Sequence, residues 1–112
     1  VYVEEAHHKM KKDAPSGTAQ TLAKEVTSQH DSYSNSHLSG EEAAEDSLEI
    51  TAHREGDIKG THVVRFTSDI DSIELRHEAY SRDGFARGAI LAAEFLVNQK
   101  PGFYTMNNLI QL

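Results

Sequence analysis

The five residues Ala14-Pro15-Ser16-Gly17-Thr18 constrain the fold of this chain more than any other stretch. Pro15 has a fixed φ and pushes Ala14 away from helical backbone. Ser16 is a favoured N-cap type, and Gly17 lets a ligand come close to the main chain. Downstream, Ala19, Leu22, Ala23 and Val26 recur at helical spacing, which predicts a helix over residues 16–29. The first N–H groups of such a helix, those of Gly17, Thr18 and Ala19, point out of its N-terminus. That end carries a partial positive charge and suits carboxylate or phosphate.

What precedes the helix is cationic: His7, His8, Lys9, Lys11 and Lys12. The chain as a whole has 18 Asp+Glu against 11 Lys+Arg and a net charge of -7, so this positive cluster is local. Imidazoles titrate near neutrality and can give or take a proton. Together the features point to a small anionic ligand handled with proton chemistry. Taken singly, each has a plainer reading. Histidines beside lysines are usually a solvated surface, and Pro-Ser-Gly-Thr is usually only a capped helix. A metal site is a third and weaker reading, because adjacent histidines diverge on most backbones, cysteine is absent and lysines repel a cation. No metal is expected.

The rest of the chain reads as alternating strands and one further helix. Val1 to Glu5 reads as the end of a strand. Residues 30–47 are polar and aperiodic and read as a flexible excursion, with His30 and His37 exposed. Leu48, Ile50 and Ala52 alternate with polar residues, as do Ile73, Leu75, His77 and Ala79, and Thr61 to Ser68 forms another strand. Gly56 and Ser68-Asp69-Ile70-Asp71 supply turns. A long helix is expected from about Arg82 to Asn98, capped by Ser81, with Asp83 and Arg87 as an i,i+4 pair. The pattern is α+β: a mixed, largely antiparallel open sheet of about four strands with helices on one face. His53, His62 and His77 read as ordinary strand residues, with no chemistry assigned.

The segment Glu5-Ala6-His7-His8-x-x-Lys11-x-Asp13-Ala14-Pro15-Ser16-Gly17-Thr18-Ala19 resembles the signature of bacterial dihydrodipicolinate reductase, also called 4-hydroxy-tetrahydrodipicolinate reductase. Gly56-Asp57-Ile58-x-Gly60-Thr61-His62 is similar to a further segment of that family. So are Ile73-Glu74-Leu75-x-His77-x-Ala79-x-Ser81-Arg82-x-x-Phe85-Ala86-x-Gly88-Ala89 and Gly102-Phe103-Tyr104-x-Met106. The resemblance spans nearly the whole chain apart from about residues 30–46.

The resemblance implies reduction of a cyclic dicarboxylate in lysine and diaminopimelate biosynthesis, with NADPH or NADH. By position His7 matches the general acid/base and Lys11 the proton donor. His8, Ser16, Gly17 and Thr18 fall in the substrate-binding set, with Gly17 and Thr18 on a carboxylate. Arg82 falls near substrate and cofactor, and Phe85 near the cofactor. The family carries its dinucleotide site on a Rossmann domain ahead of this segment. Glycines 17, 40, 56, 60, 84, 88 and 102 contain no Gly-x-Gly-x-x-Gly. The expectation is therefore a substrate-binding and tetramerisation domain over residues 1–101. Residues 102–112, with Phe103, Tyr104, Met106, Leu109, Ile110 and Leu112, would form a tail that returns to the dinucleotide domain. The family also implies a cytoplasmic homotetramer packed through the sheet.

Composition narrows the partners. An acidic chain without a basic stripe argues against nucleic acid, and no run reaches transmembrane length or starts as a signal peptide. Two function classes follow: a reductase's substrate-binding half, inactive alone, or a non-catalytic oligomerisation or regulatory module. A scaffold gives no reason to keep an acid, a cation and an anion-binding helix end together, which favours the first.

Overall fold

The computed structural model describes residues 1–111. The chain forms two compact units, Val1–Tyr80 and the residues from Ser81 onward. Each is described by itself.

In the first unit, β1 (Tyr2–His7) leads through a loop into α1 (Gly17–Gln29). β2 (Asn35–Leu38), β3 (Ser47–Arg54), β4 (Thr61–Thr67) and β5 (Ser72–Glu78) follow. They make one five-stranded sheet in the order β2-β3-β1-β4-β5. β3 runs parallel to both β1 and β2, and β4 antiparallel to both β1 and β5. The sheet is mixed and open, as the sequence implies. It has one strand more, and more parallel pairing, than the sequence suggested.

The extra strand corrects the reading of residues 30–47 as a flexible excursion. β2 has no apolar alternation because it is an edge strand. Its register, Asn35 opposite Ser47 through Leu38 opposite Ile50, is set by main-chain bonds to β3. His37 is half-buried, with Nδ1 2.8 Å from Ser47 Oγ.

α1 begins where the sequence places it. Ser16 is extended at the N-cap, and its Oγ accepts the Ala19 N–H at 3.2 Å. The apolar stripe Ala19, Ala23 and Val26 packs against Val3, Leu48, Ile50 and Val64 of the sheet. Their burial on one face of the central strands is the main apolar stabilisation of the unit. On β5 every residue is exposed, including Ile73 and Leu75.

The second unit holds α2 (Asp83–Leu96) and α3 (Met106–Ile110). Ser81 Oγ accepts the Asp83 N–H at 3.2 Å, although the N-cap position itself falls to Arg82. The expected Asp83–Arg87 pair does not form among the described residues. α3 folds back on α2: Phe95 meets the Tyr104 ring edge-on at 5.8 Å, and Tyr104 OH donates to Lys100 O at 2.7 Å. Leu112 of the expected apolar tail lies outside the described residues.

Candidate functional site

The strand alternation of β1 continues past its apolar start. Val3, Glu5 and His7 share the face that α1 covers, so a carboxylate and an imidazole follow a valine toward the interior. Register then brings in their partners. Glu5 lies opposite His62 of β4, and His7 opposite Arg54 of β3. Glu5 is fully buried and His62 nearly so.

The cluster is closely connected. Glu5 Oε1 receives Arg54 Nη2 at 2.8 Å and the Ser16 N–H at 3.3 Å. Arg54 Nη2 also donates to Asp13 O at 2.6 Å, which ties the loop before α1 to the sheet. His62 Nε2 is 3.1 Å from Ser16 Oγ and 3.3 Å from His7 Nε2. His7 Nε2 stands 3.1 Å from Glu5 Oε2, within ion-pair range but off the hydrogen-bond line, and Oε2 has no hydrogen-bond partner. The two imidazoles meet edge to face, with centroids 5.1 Å apart.

Electrostatics follow from burial. Desolvation is the main cause that lowers the His7 pKa, with the Lys11, Arg54 and His8 charges adding to it and Glu5 opposing. His62 is lowered in the same way, chiefly by burial and then by His7. Both rings are thus inclined to be neutral near pH 7.

Gly60 fits beside them for a steric reason. Its φ is +149°, and a Cβ there would stand 3.2 Å from His7 Cε1.

The other sequence-derived candidates fall into two groups. Lys11 lies in the loop after β1, where its Nζ pairs with Asp13 Oδ1 at 2.8 Å and holds that carboxyl below its usual range. His8, half-buried, accepts the Lys11 N–H at its carbonyl. Gly17 and Thr18 are exposed at the start of α1. Ala19 does not offer a free N–H as the sequence suggested, because Ser16 takes it as the cap. Ser16 itself is buried, and its contacts are to Glu5, Ala19 and His62. Arg82 and Phe85 belong to the second unit, at the N-cap and first turn of α2.

Sequence reading missed Glu5, Arg54 and His62. The signal was there for two of them. Glu5 is two residues before His7 on an alternating strand, and His62 shares parity with Val64 and Phe66. Arg54 becomes visible only through the β1–β3 register.

Glu5, His7 and His62 offer three donor atoms within 4.8 Å of one another. Arg54 already pairs with Oε1 of the carboxylate, and the Arg54 and Lys11 charges reach His7 and its neighbourhood, which opposes a cation there.

Fold and site together define a mixed-sheet domain in which a partly buried histidine, His7, is linked through His62 to Ser16, the N-cap of a helix. Residues 1–110 match the family model described as dihydrodipicolinate reductase, C-terminus, and the chain belongs to that family. The chain is 48% identical over 98% of its length to the 4-hydroxy-tetrahydrodipicolinate reductase of Christiangramia forsetii, of which it covers 45%. It is 44% identical over its full length to the 4-hydroxy-tetrahydrodipicolinate reductase of Nitratiruptor sp., of which it covers 46%. The chain therefore spans less than half the length of these curated relatives. A solved structure, dipicolinate-bound dihydrodipicolinate reductase from Paenisporosarcina sp. TG-14, matches 96% of the chain and 43% of its own, at 26% identity and a TM-score of 0.68.

Proposed function

We propose that this chain is the substrate-binding part of an NAD(P)H-dependent 4-hydroxy-tetrahydrodipicolinate reductase in lysine and diaminopimelate biosynthesis. The observation that carries the reading is the placement of His7. The ring is held by a buried network at the end of β1, and the loop it opens carries Lys11 and leads to the exposed Gly17 and Thr18. A cyclic dicarboxylate matches that chemistry. One carboxylate sits on the free N–H groups and hydroxyl at the start of α1, with Ser16 behind them as the cap. His8 contributes a further contact to the substrate.

Reduction of an unsaturated ring leaves negative charge that has to be protonated. His7 supplies or relays that proton as general acid/base, and Lys11 donates a proton and stabilises the developing charge.

The chain contains no Gly-x-Gly-x-x-Gly, the pattern that a Rossmann dinucleotide site uses. NADPH or NADH, the source of hydride, is assigned mainly to a domain outside these residues, with Arg82 and Phe85 as cofactor contacts within them. Residues 102–112 are read as the tail that returns to that domain. The assembly is read as a cytoplasmic homotetramer packed through the charged sheet face of Glu74, Arg76 and Glu78, of which Glu74 pairs with Arg65. No helix of the described residues is long and apolar enough to cross a membrane.

The test has two arms. Calorimetry should show dipicolinate binding to the chain, weakened by Thr18→Val. A nicotinamide absorbance assay on the 112 residues alone should read zero. Turnover by this chain alone, or failure of the folded chain to bind dipicolinate, overturns the reading.

A further inference from the structure

Any residue that exchanges a proton through an imidazole must do so from one of two nitrogens, and here the buried surroundings of His7 choose which. We propose that Glu5 is a positioning residue for His7: its carboxylate keeps a proton on Nε2, so that Nδ1 is the atom that exchanges protons with a bound substrate. The role toward a substrate rests on the reductase reading. The choice of nitrogen rests on geometry alone.

His7 Nε2 has two polar neighbours, Glu5 Oε2 at 3.1 Å and His62 Nε2 at 3.3 Å. A carboxylate can only accept. Ser16 Oγ accepts the Ala19 N–H and keeps its own hydroxyl proton to give to His62 Nε2 at 3.1 Å. With a carboxylate oxygen 3.1 Å away, the proton of His7 is favoured on Nε2, where His62 Nε2 at 3.3 Å is placed to accept it. His7 Nδ1 makes no hydrogen bond among the described residues and is not sealed from solvent.

Glu5 is well suited to hold this arrangement. It is fully buried, so water does not compete for it. Arg54 and the Ser16 N–H fix Oε1, and Arg54 is itself fixed by Asp13 O. Oε2 stands 3.1 Å from His7 Nε2 and makes no hydrogen bond, so its charge acts on the ring through space and favours a proton on Nε2. Gly60 leaves room for the ring in this pose, 3.2 Å from where a Cβ would stand.

The charged and titratable groups that bear on His7 are Glu5 on β1, His8 and Lys11 in the loop, Arg54 on β3 and His62 on β4, with His77 of β5 acting on His62. Of these only Glu5 favours the protonated ring. Removing its charge therefore moves the His7 titration to lower pH.

The experiment is nitrogen-15 NMR of the histidine side chains in the 112-residue chain. Above its titration, wild-type His7 should show a protonated Nε2 and a pyridine-like Nδ1. Glu5→Gln should move the His7 midpoint to lower pH, and in the complete reductase it should lower kcat more than it changes KM, with the pH limb displaced the same way. Because Glu5→Gln leaves Arg54 without its charge partner and can unfold the chain, the wild-type tautomer decides by itself. A wild-type Nδ1–H tautomer overturns the proposal, as does an unchanged His7 midpoint in a folded Glu5→Gln chain. Stoichiometric capture of added Zn²⁺ by both rings also overturns it. Absence of dipicolinate binding alongside the Nε2–H tautomer would count against the reductase reading while upholding the role of Glu5.

Discussion

Val3 and Glu5 sit two residues apart on β1, on the same face, and neither has exposed surface. Around Val3 the neighbours are Ile50, Val64, Leu48 and the alanines of α1, and burial there is favourable in itself. Around Glu5 they are Arg54, Ser16, His7 and His62, and burial there costs free energy that pairing has to offset. A chain that needed only to fold would do as well with an apolar residue at position 5. The contrast within one strand separates burial that stabilises by itself from burial that pairing has to offset.

The largest effect should come from the apolar end. Leu48 is almost fully buried, and Leu48→Ala should cost about 3 kcal/mol by urea unfolding. The His7 titration should stay where it is. If it moved with the stability, the two ends would not be separable.

Next come substitutions at the polar end, measured in the complete reductase. His7→Ala and Lys11→Ala should each lower kcat by at least about 10²-fold. His8→Ala should act more on KM. Both kcat values staying within a few fold of wild type would remove the assigned roles.

Ser16 belongs to both ends, since it caps α1 and also touches His62 and Glu5. Ser16→Ala should cost about 1 kcal/mol for the lost cap. It should also free His62 Nε2 to become a donor, visible as a change in its tautomer. Loss of stability with no change at His62 would reduce Ser16 to a helix cap.

The pH dependence of stability sharpens the comparison further. His7 and His62 titrate below their ordinary value of 6.5 in the folded chain, so the unfolded chain binds more protons there. Their contribution is fully present above pH 6.5 and is lost as pH falls through their folded values. The melting temperature should decline over that window, and His62→Asn should flatten the decline. An unchanged slope would mean that the ring is not desolvated.

The smallest effect is expected from removing residues 102–112. If they are an inter-domain tail, the first unit should melt within a few degrees of the intact chain. A collapse of that transition would join the tail to this core and move the domain boundary.

The helix at Ser16 was legible because cap, proline and apolar spacing are local signals that reinforce one another. The strands around Ile50 and Leu75 were legible because alternation is a property of adjacent residues. β2 was not, because an edge strand is held by main-chain bonds that leave no side-chain pattern. The same division runs through the site. His7, Lys11, Gly17 and Thr18 stand close together in the sequence and could be read as a group.

The sequence by itself determined the elements, the cationic loop and the helix end, since each depends on neighbours a few residues away. Only the tertiary structure decided that Arg54 and His62 close around Glu5, from 49 and 57 positions along the chain. The register of two strands on either side of β1 fixes that meeting. Register is a long-range choice, set by how the whole apolar face packs under α1, and no local pattern records it.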